Sequence, residues 1–174
     1  MNKIIIYVKG PDRIGIVSEI SENITSFGGN IENSKMIKLE HKFYMILLVN
    51  INNKSQKNLE NILTQIKDLD INIETTKKEE ILNKNITFSF ILKGADNEGI
   101  VYKFTKLLSD LNINILDMET KLFNAPVTGH PLFYMESKIS IPTHIAIDEL
   151  KKSINFLSEN ENVVVKLIEE SINH

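Results

Sequence analysis

The chain repeats itself. Lys9 to Ile31, KGPDRIGIVSEISENITSFGGNI, returns 84 positions on as Lys93 to Ile115, KGADNEGIVYKFTKLLSDLNINI. Lys9, Gly10, Asp12, Gly15, Ile16, Val17, Asn30 and Ile31 recur without a gap as Lys93, Gly94, Asp96, Gly99, Ile100, Val101, Asn114 and Ile115. Further on, Phe43-Tyr44-Met45 recurs as Phe133-Tyr134-Met135, now at an offset of 90. The extra residues of the second copy lie in or near Asn124 to Pro131, a stretch rich in turn formers. Self-similarity of this length means that one supersecondary unit is built twice, with the same order of elements each time.

The order of elements follows from hydrophobic spacing. Ile4 to Val8 and Ile86 to Leu92 are apolar runs of strand length. Val17, Ile20, Ile24 and Phe27 then step as one helical stripe, matched by Val101, Phe104, Leu108 and Leu111. Asp12 and Asp96 precede these helices as candidate N-caps. A second strand starts near Asn30 and Asn114, with poor alternation in both copies. A third runs from Phe43 to Ile51 and from Leu132 to Ile141. The spacing predicts a second helix after Lys54, capped by Ser55 and carrying Leu59, Ile62, Leu63, Ile66 and Leu69. Its counterpart follows Pro142 with Ile147, Leu150, Ile154 and Leu157, and the last strands are Ile71 to Thr76 and Asn162 to Ile168. Strand, helix, strand, strand, helix, strand is an α+β pattern. Right-handed crossovers put both helices on one face of an antiparallel sheet. The expected fold is two tandem ferredoxin-like βαββαβ domains, residues 1–77 and 86–172, joined by a Lys- and Glu-rich linker at 78–85.

Two domains of this size each bury a modest core, so they are expected to lean on each other or on a second chain, and a homo-oligomer, a dimer, is the expected assembly. The formal net charge is −3, with Lys and Glu interleaved. A chain that holds DNA alone normally shows a basic face, so direct nucleic-acid binding is not expected. No apolar run is long enough to span a bilayer, and the N-terminal run Ile4 to Val8 is shorter than a secretory core, so no membrane partner and a cytoplasmic location are expected. There is no cysteine, which excludes disulfides, thiol nucleophiles and Cys-based zinc sites. His41, His130, His144 and His174 stand in no metal-binding spacing. No nucleophile or general base stands out, so neither a catalytic residue nor a cofactor is expected.

The loop from the first strand into the first helix reads Gly-x-Asp-x-x-Gly in both copies. Such a loop delivers a flexible turn to a helix N-terminus, whose free N–H groups attract carboxylates and phosphates. Asp12 and Asp96 offer carboxylates to an ammonium, and Asn30 and Asn114 offer a donor and an acceptor together. A zwitterionic amino acid carries both complementary groups. The same residues also serve as a turn and a cap with no ligand at all. The loop is neither a P-loop nor a dinucleotide fingerprint, because the spacing and the context of both are missing.

Gly10-Pro11-Asp12-Arg13-Ile14-Gly15-Ile16-Val17, with Gly28-Gly29-Asn30-Ile31, resembles an ACT domain. Asp96-Asn97-Glu98-Gly99-Ile100-Val101, with Asn114-Ile115, resembles a more diverged one. Tandem ACT domains with the stretch Ala125-Pro126-Val127-Thr128-Gly129-His130-Pro131 are similar to the glycine cleavage system transcriptional repressor family. The resemblance implies an amino-acid effector such as glycine, bound near the first βα loop, and regulation through a partner protein. The candidate ligand-binding residues are Gly10, Asp12, Arg13, Ile14, Gly15, Ile16, Asn30 and Ile31, with Asp96, Gly99 and Asn114 in the second copy. Asn97 and Glu98 replace Arg13 and Ile14, so the two loops are not equivalent, and Glu98 would repel a carboxylate. The first half also resembles the ACT domain of formyltetrahydrofolate deformylases. Those enzymes need a separate hydrolase domain, and a second ACT-like repeat stands here instead. The alternative to a sensor is a non-catalytic interaction module that binds no ligand.

Overall fold

The computed structural model describes residues 1–76, 85–124 and 129–170. Most of the expected linker, and Ala125 to Thr128 of the turn-rich stretch, lie outside the described residues. The chain forms two compact units, Met1–Glu80 and Ile81–His174.

The first unit runs β1 (Asn2–Pro11), α1 (Ile16–Ser26), β2 (Asn30–Leu39), β3 (Lys42–Ile51), α2 (Asn53–Leu63) and β4 (Asp70–Thr76). The second runs β5 (Ile86–Ala95), α3 (Ile100–Asp110), β6 (Asn114–Asn124), β7 (Pro131–Ile141), α4 (Ile147–Glu161) and β8 (Val163–Glu169). Each is a four-stranded antiparallel sheet, ordered β2-β3-β1-β4 and β6-β7-β5-β8. Both are the expected βαββαβ sheets with helices on one face.

Alternation decides which face is covered. Ile4, Ile6 and Val8 of β1 are buried with Met45, Leu47 and Val49 of β3, Ile16, Ile20 and Ile24 of α1, and Leu59 and Leu63 of α2. Ile5, Tyr7 and Lys9 point to the opposite face, because successive strand residues alternate. The second unit repeats the plan with Phe88, Phe90 and Leu92, and Phe90 meets Phe104 of α3 at 5.8 Å between ring centroids. Burying Leu59 or Ile20 contributes roughly 1.5–3 kcal/mol each relative to exposure.

The poor alternation of the second strand has a structural cause. Apart from half-buried Ile31, β2 is exposed along both faces, and β6 behaves likewise. As edge strands they have little to bury. Each also carries a bulge after its second residue, at Glu32 and Leu116. The bulge reverses which residues face the core beyond it.

Several local readings need correction. Helices α1 and α3 are not capped by Asp12 and Asp96. The N-cap positions are Gly15 and Gly99, with no side-chain cap bond. The buried face of α1 begins at Ile16, while Val17 is 39% exposed. Helix α2 is capped by Asn52, whose side chain accepts the Lys54 N–H at 3.0 Å, and not by Ser55. It ends at Leu63, so Ile66 and Leu69 reach the core from the following turn, and Ile62 stays exposed. The second-unit reading needs no such change: the chain turns after Pro142, whose carbonyl accepts the Ile145 N–H at 3.0 Å, and α4 starts at Ile147 as expected.

Candidate functional site

The β1–α1 loop is short because β1 runs on to Pro11. Gly10 lies so close to the turn before β4 that a Cβ there would stand 2.5 Å from the Asp68 carbonyl oxygen. Asp12 follows, its N–H donating to the His41 carbonyl at 3.0 Å, which ties the loop to the β2–β3 turn. Its carboxylate receives the Lys38 ammonium at 2.7 Å. Arg13 reaches back along α1 to Glu19 at 2.5 Å. Ile14 projects fully into solvent. Gly15 takes φ +93°, a left-handed conformation that residues with a Cβ adopt at a cost. Ile16 then turns inward to the core.

Six of the first-copy candidates, Gly10 and Asp12 to Ile16, with Pro11 between, are therefore parts of one surface loop opening on the N-terminus of α1. Because Gly15 supplies no side-chain cap, the first-turn N–H groups face the loop without one. Space at Gly15 is open: a Cβ would meet only Ser18 Oγ, at 3.9 Å. Its conformation, not crowding, is what calls for glycine.

The second loop differs. Gly99 again takes a left-handed φ, +74°. Asn97 donates its side-chain amide to the Glu161 carbonyl at 2.5 Å, and its own carbonyl accepts the Ile100 N–H at 3.2 Å. One helix-terminal donor is thus already used. Asp96 and Glu98 are both exposed beside it.

Asn30 and Ile31 do not join this loop. Asn30 pairs with Asn50, and Asn50 pairs with Lys3, which places Asn30 level with the start of β1. Asp12 follows the other end of that strand. At about 3.3 Å per residue the two lie on the order of 30 Å apart within the domain. Asn114 is likewise level with Thr87, at the start of β5, through Ser140. The structure therefore corrects the expectation that Asp12 and Asn30 of one domain meet the same small ligand. Asn30 instead sits opposite Asn50, whose Oδ1 is buried without a hydrogen bond.

Sequence reasoning missed Lys38 and Glu19, the partners that hold the loop. Glu19 follows Arg13 by six positions, close enough in sequence to be weighed as its partner. Lys38 becomes a neighbour only through strand register. Among the described residues no group of His, Asp and Glu is placed to hold a metal ion.

The ACT domain model matches residues 2–76, the whole of the first βαββαβ unit. The first half of this chain is an ACT domain. The second unit shares the topology of this ACT domain strand for strand, so the chain is a tandem pair of ACT-like βαββαβ folds. No curated protein matches the sequence. Among solved structures, a protein of unknown function from Galdieria sulphuraria superposes with a TM-score of 0.87 at 28% identity, over 98% of this chain and 99% of that one. A putative glycine cleavage system transcriptional repressor superposes with a TM-score of 0.67 at 18% identity, over 98% of each chain. The latter likeness is one of fold. Among the described residues, no helix is long and apolar enough to cross a membrane.

Proposed function

We propose that this ACT pair is a regulatory sensor of a small amino acid, with glycine as the first candidate, and that it acts through a partner protein rather than on nucleic acid. The observation that carries the reading is the β1–α1 loop: a helix N-terminus without a side-chain cap, entered through left-handed Gly15, with the Asp12 carboxylate three residues before it. A ligand carboxylate suits the N–H groups and the helix dipole, and a ligand ammonium suits Asp12. The first loop is the better site, because in the second Asn97 already occupies a donor and Glu98 adds a negative charge. The likeness in fold to the glycine cleavage repressor protein is consistent with this choice of ligand.

Size limits affinity. Glycine has about five heavy atoms, and the best tiny ligands gain roughly 1.5 kcal/mol per atom. The ceiling of about −7.5 kcal/mol corresponds to a dissociation constant on the order of micromolar.

A competing reading, a pure interaction module, is favoured by one fact: Asp12 and Arg13 already have partners in Lys38 and Glu19. Calorimetry with glycine on the full chain decides. Under the sensor reading glycine binds at micromolar affinity or weaker, and Asp12→Asn weakens it by roughly tenfold or more, the usual worth of a hydrogen bond to a charged group. If none of the twenty amino acids gives heat or shifts the melting temperature, the module reading replaces it.

A further inference from the structure

The two sheets differ on the face turned away from their helices. In the second domain Lys93 of β5 lies over the ring of Tyr134 of β7, Nζ to centroid 5.1 Å. The first domain has the same two residues in the same register, Lys9 opposite Tyr44. There Lys9 is drawn to Asp70 of β4 at 3.0 Å, and its ammonium is not stacked on the Tyr44 ring. The cause is one position: Lys9 pairs with Asp70, whereas Lys93 pairs with Val164. The second domain thus fills with its own lysine a place that the first leaves open.

The open place is a shallow cavity of about 440 Å³. Its floor carries Tyr7, Tyr44 and Ile46, and its rim carries Lys9, Asp70 and Glu74. Lys9 and Asp70 neutralise each other. Glu74 accepts a hydrogen bond from the Tyr7 hydroxyl at 3.4 Å, and among the described residues it has no cationic partner. The cavity therefore holds two aromatic rings, one aliphatic wall and one carboxylate with no ion pair among the described residues. In the second domain Ile91, Glu136, Lys166 and Ile168 stand where the first has Tyr7, Ile46, Asn72 and Glu74, so the same lining is not repeated there.

We propose that the helix-free face of the first sheet binds a small organic monocation, a primary ammonium on a short apolar chain. The ammonium sits between the Glu74 carboxylate and the tyrosine rings, and the chain packs on Ile46. Ring faces attract ammonium groups through their quadrupole, best where the cation is partly desolvated. Lys93 on Tyr134 displays that contact within the same molecule. This site is separate from the loop reading and does not rest on it.

The test uses butylammonium as probe, with 1-butanol and butyrate as the neutral and anionic controls, titrated into the full chain. The readout is the ring proton resonances of Tyr7 and Tyr44, in a protein with four tyrosines and no tryptophan. The expected result is saturable shifts with butylammonium only. Tyr44→Phe keeps binding within about twofold, Tyr44→Leu weakens it roughly threefold or more, and Glu74→Gln removes the preference for ammonium over alcohol. These side chains lie on a solvated face, so the variants remain folded. Equal shifts with butanol overturn the proposal. So does binding of Nα-acetyl-lysine methylamide without butylammonium, which would mark a lysine-bearing protein as the occupant. Saturation of the same rings by a short oligothymidylate but not by butylammonium would also overturn it, since exposed aromatics on central strands stack bases as well.

Discussion

Asp12 in the β1–α1 loop is held by Lys38 of β2 at 2.7 Å, and the second domain has Leu122 where the first has Lys38. The pair links the loop to the edge strand in the first domain only. It is largely exposed, 61% and 31% for the two side chains, so it adds at most about 1 kcal/mol. Lys38 also competes with any ligand ammonium for Asp12. Lys38→Met should therefore leave the melting temperature nearly unchanged while tightening glycine up to about fivefold by calorimetry. Weaker binding in this variant would show that Lys38 itself holds the ligand.

Gly15 invites a backbone test. Gly15→Leu places a branched side chain at φ +93° and should cost about 1–2 kcal/mol in urea denaturation. Gly15→Asn should cost less, because asparagine tolerates the left-handed region. If the two cost the same, conformation is not what selects glycine here. Gly15→Asn is also the cleaner block of the proposed ligand site, since its side chain enters open space.

Gly10 and Gly94 separate two kinds of crowding. A Cβ at Gly10 would lie 2.5 Å from a backbone carbonyl oxygen, that of Asp68. At Gly94 it would lie 2.5 Å from the Val163 Cγ1 and 3.0 Å from its Cα. Neither neighbour is the free end of a flexible chain. Both alanine variants should lose about 1–3 kcal/mol by chemical denaturation, each in its own domain. A Gly10→Ala protein as stable as the parent would mean that the β4 turn yields freely.

The cap of α2 is equally specific. Asn52→Ala removes the bond to the Lys54 N–H and should cost about 1 kcal/mol, whereas Ser55→Ala should fall within about 0.5 kcal/mol of the parent. The opposite order in thermal melts would restore Ser55 as the cap.

Acid sensitivity should be traceable to the bulge. Lys3, bonded at 2.5 Å, holds the Glu32 carboxyl below its ordinary value near 4.5, against a smaller opposing effect of desolvation, with Asn50 assisting. Folding lowers this pKa, so the unfolded chain binds the proton more readily. The contribution is complete above the ordinary carboxylate value and is lost as pH falls through the lower, folded one. Glu32→Gln should flatten that part of the stability–pH profile of the first domain, and an unchanged acid limb would place the sensitivity elsewhere.

Much of the fold was legible because its determinants are local. Ile4, Ile6 and Val8 alternate, and Ile20 and Ile24 step by a helical turn, whatever the rest of the chain does. The turn after α2 was misread because Ile66 and Leu69 continue the apolar spacing, although the helix stops at Leu63. The cap was misplaced for a related reason: Asn52 and Ser55 are both good capping residues, and only the backbone shows which one is extended.

By itself the sequence determined that one βαββαβ unit is made twice, and that the first loop delivers Gly-x-Asp-x-x-Gly to a helix start. Periodicity and turn residues act over a few positions, so they can be read in order along the chain. Tertiary structure decided which distant side chains meet. It brought Lys38 to Asp12 and Lys9 to Asp70, and it left Lys93 on Tyr134. It also carried Asn30 to the far end of the sheet from Asp12. Those outcomes depend on strand order, register and a single bulged residue, and a one-residue slip in register sends a side chain to the other face.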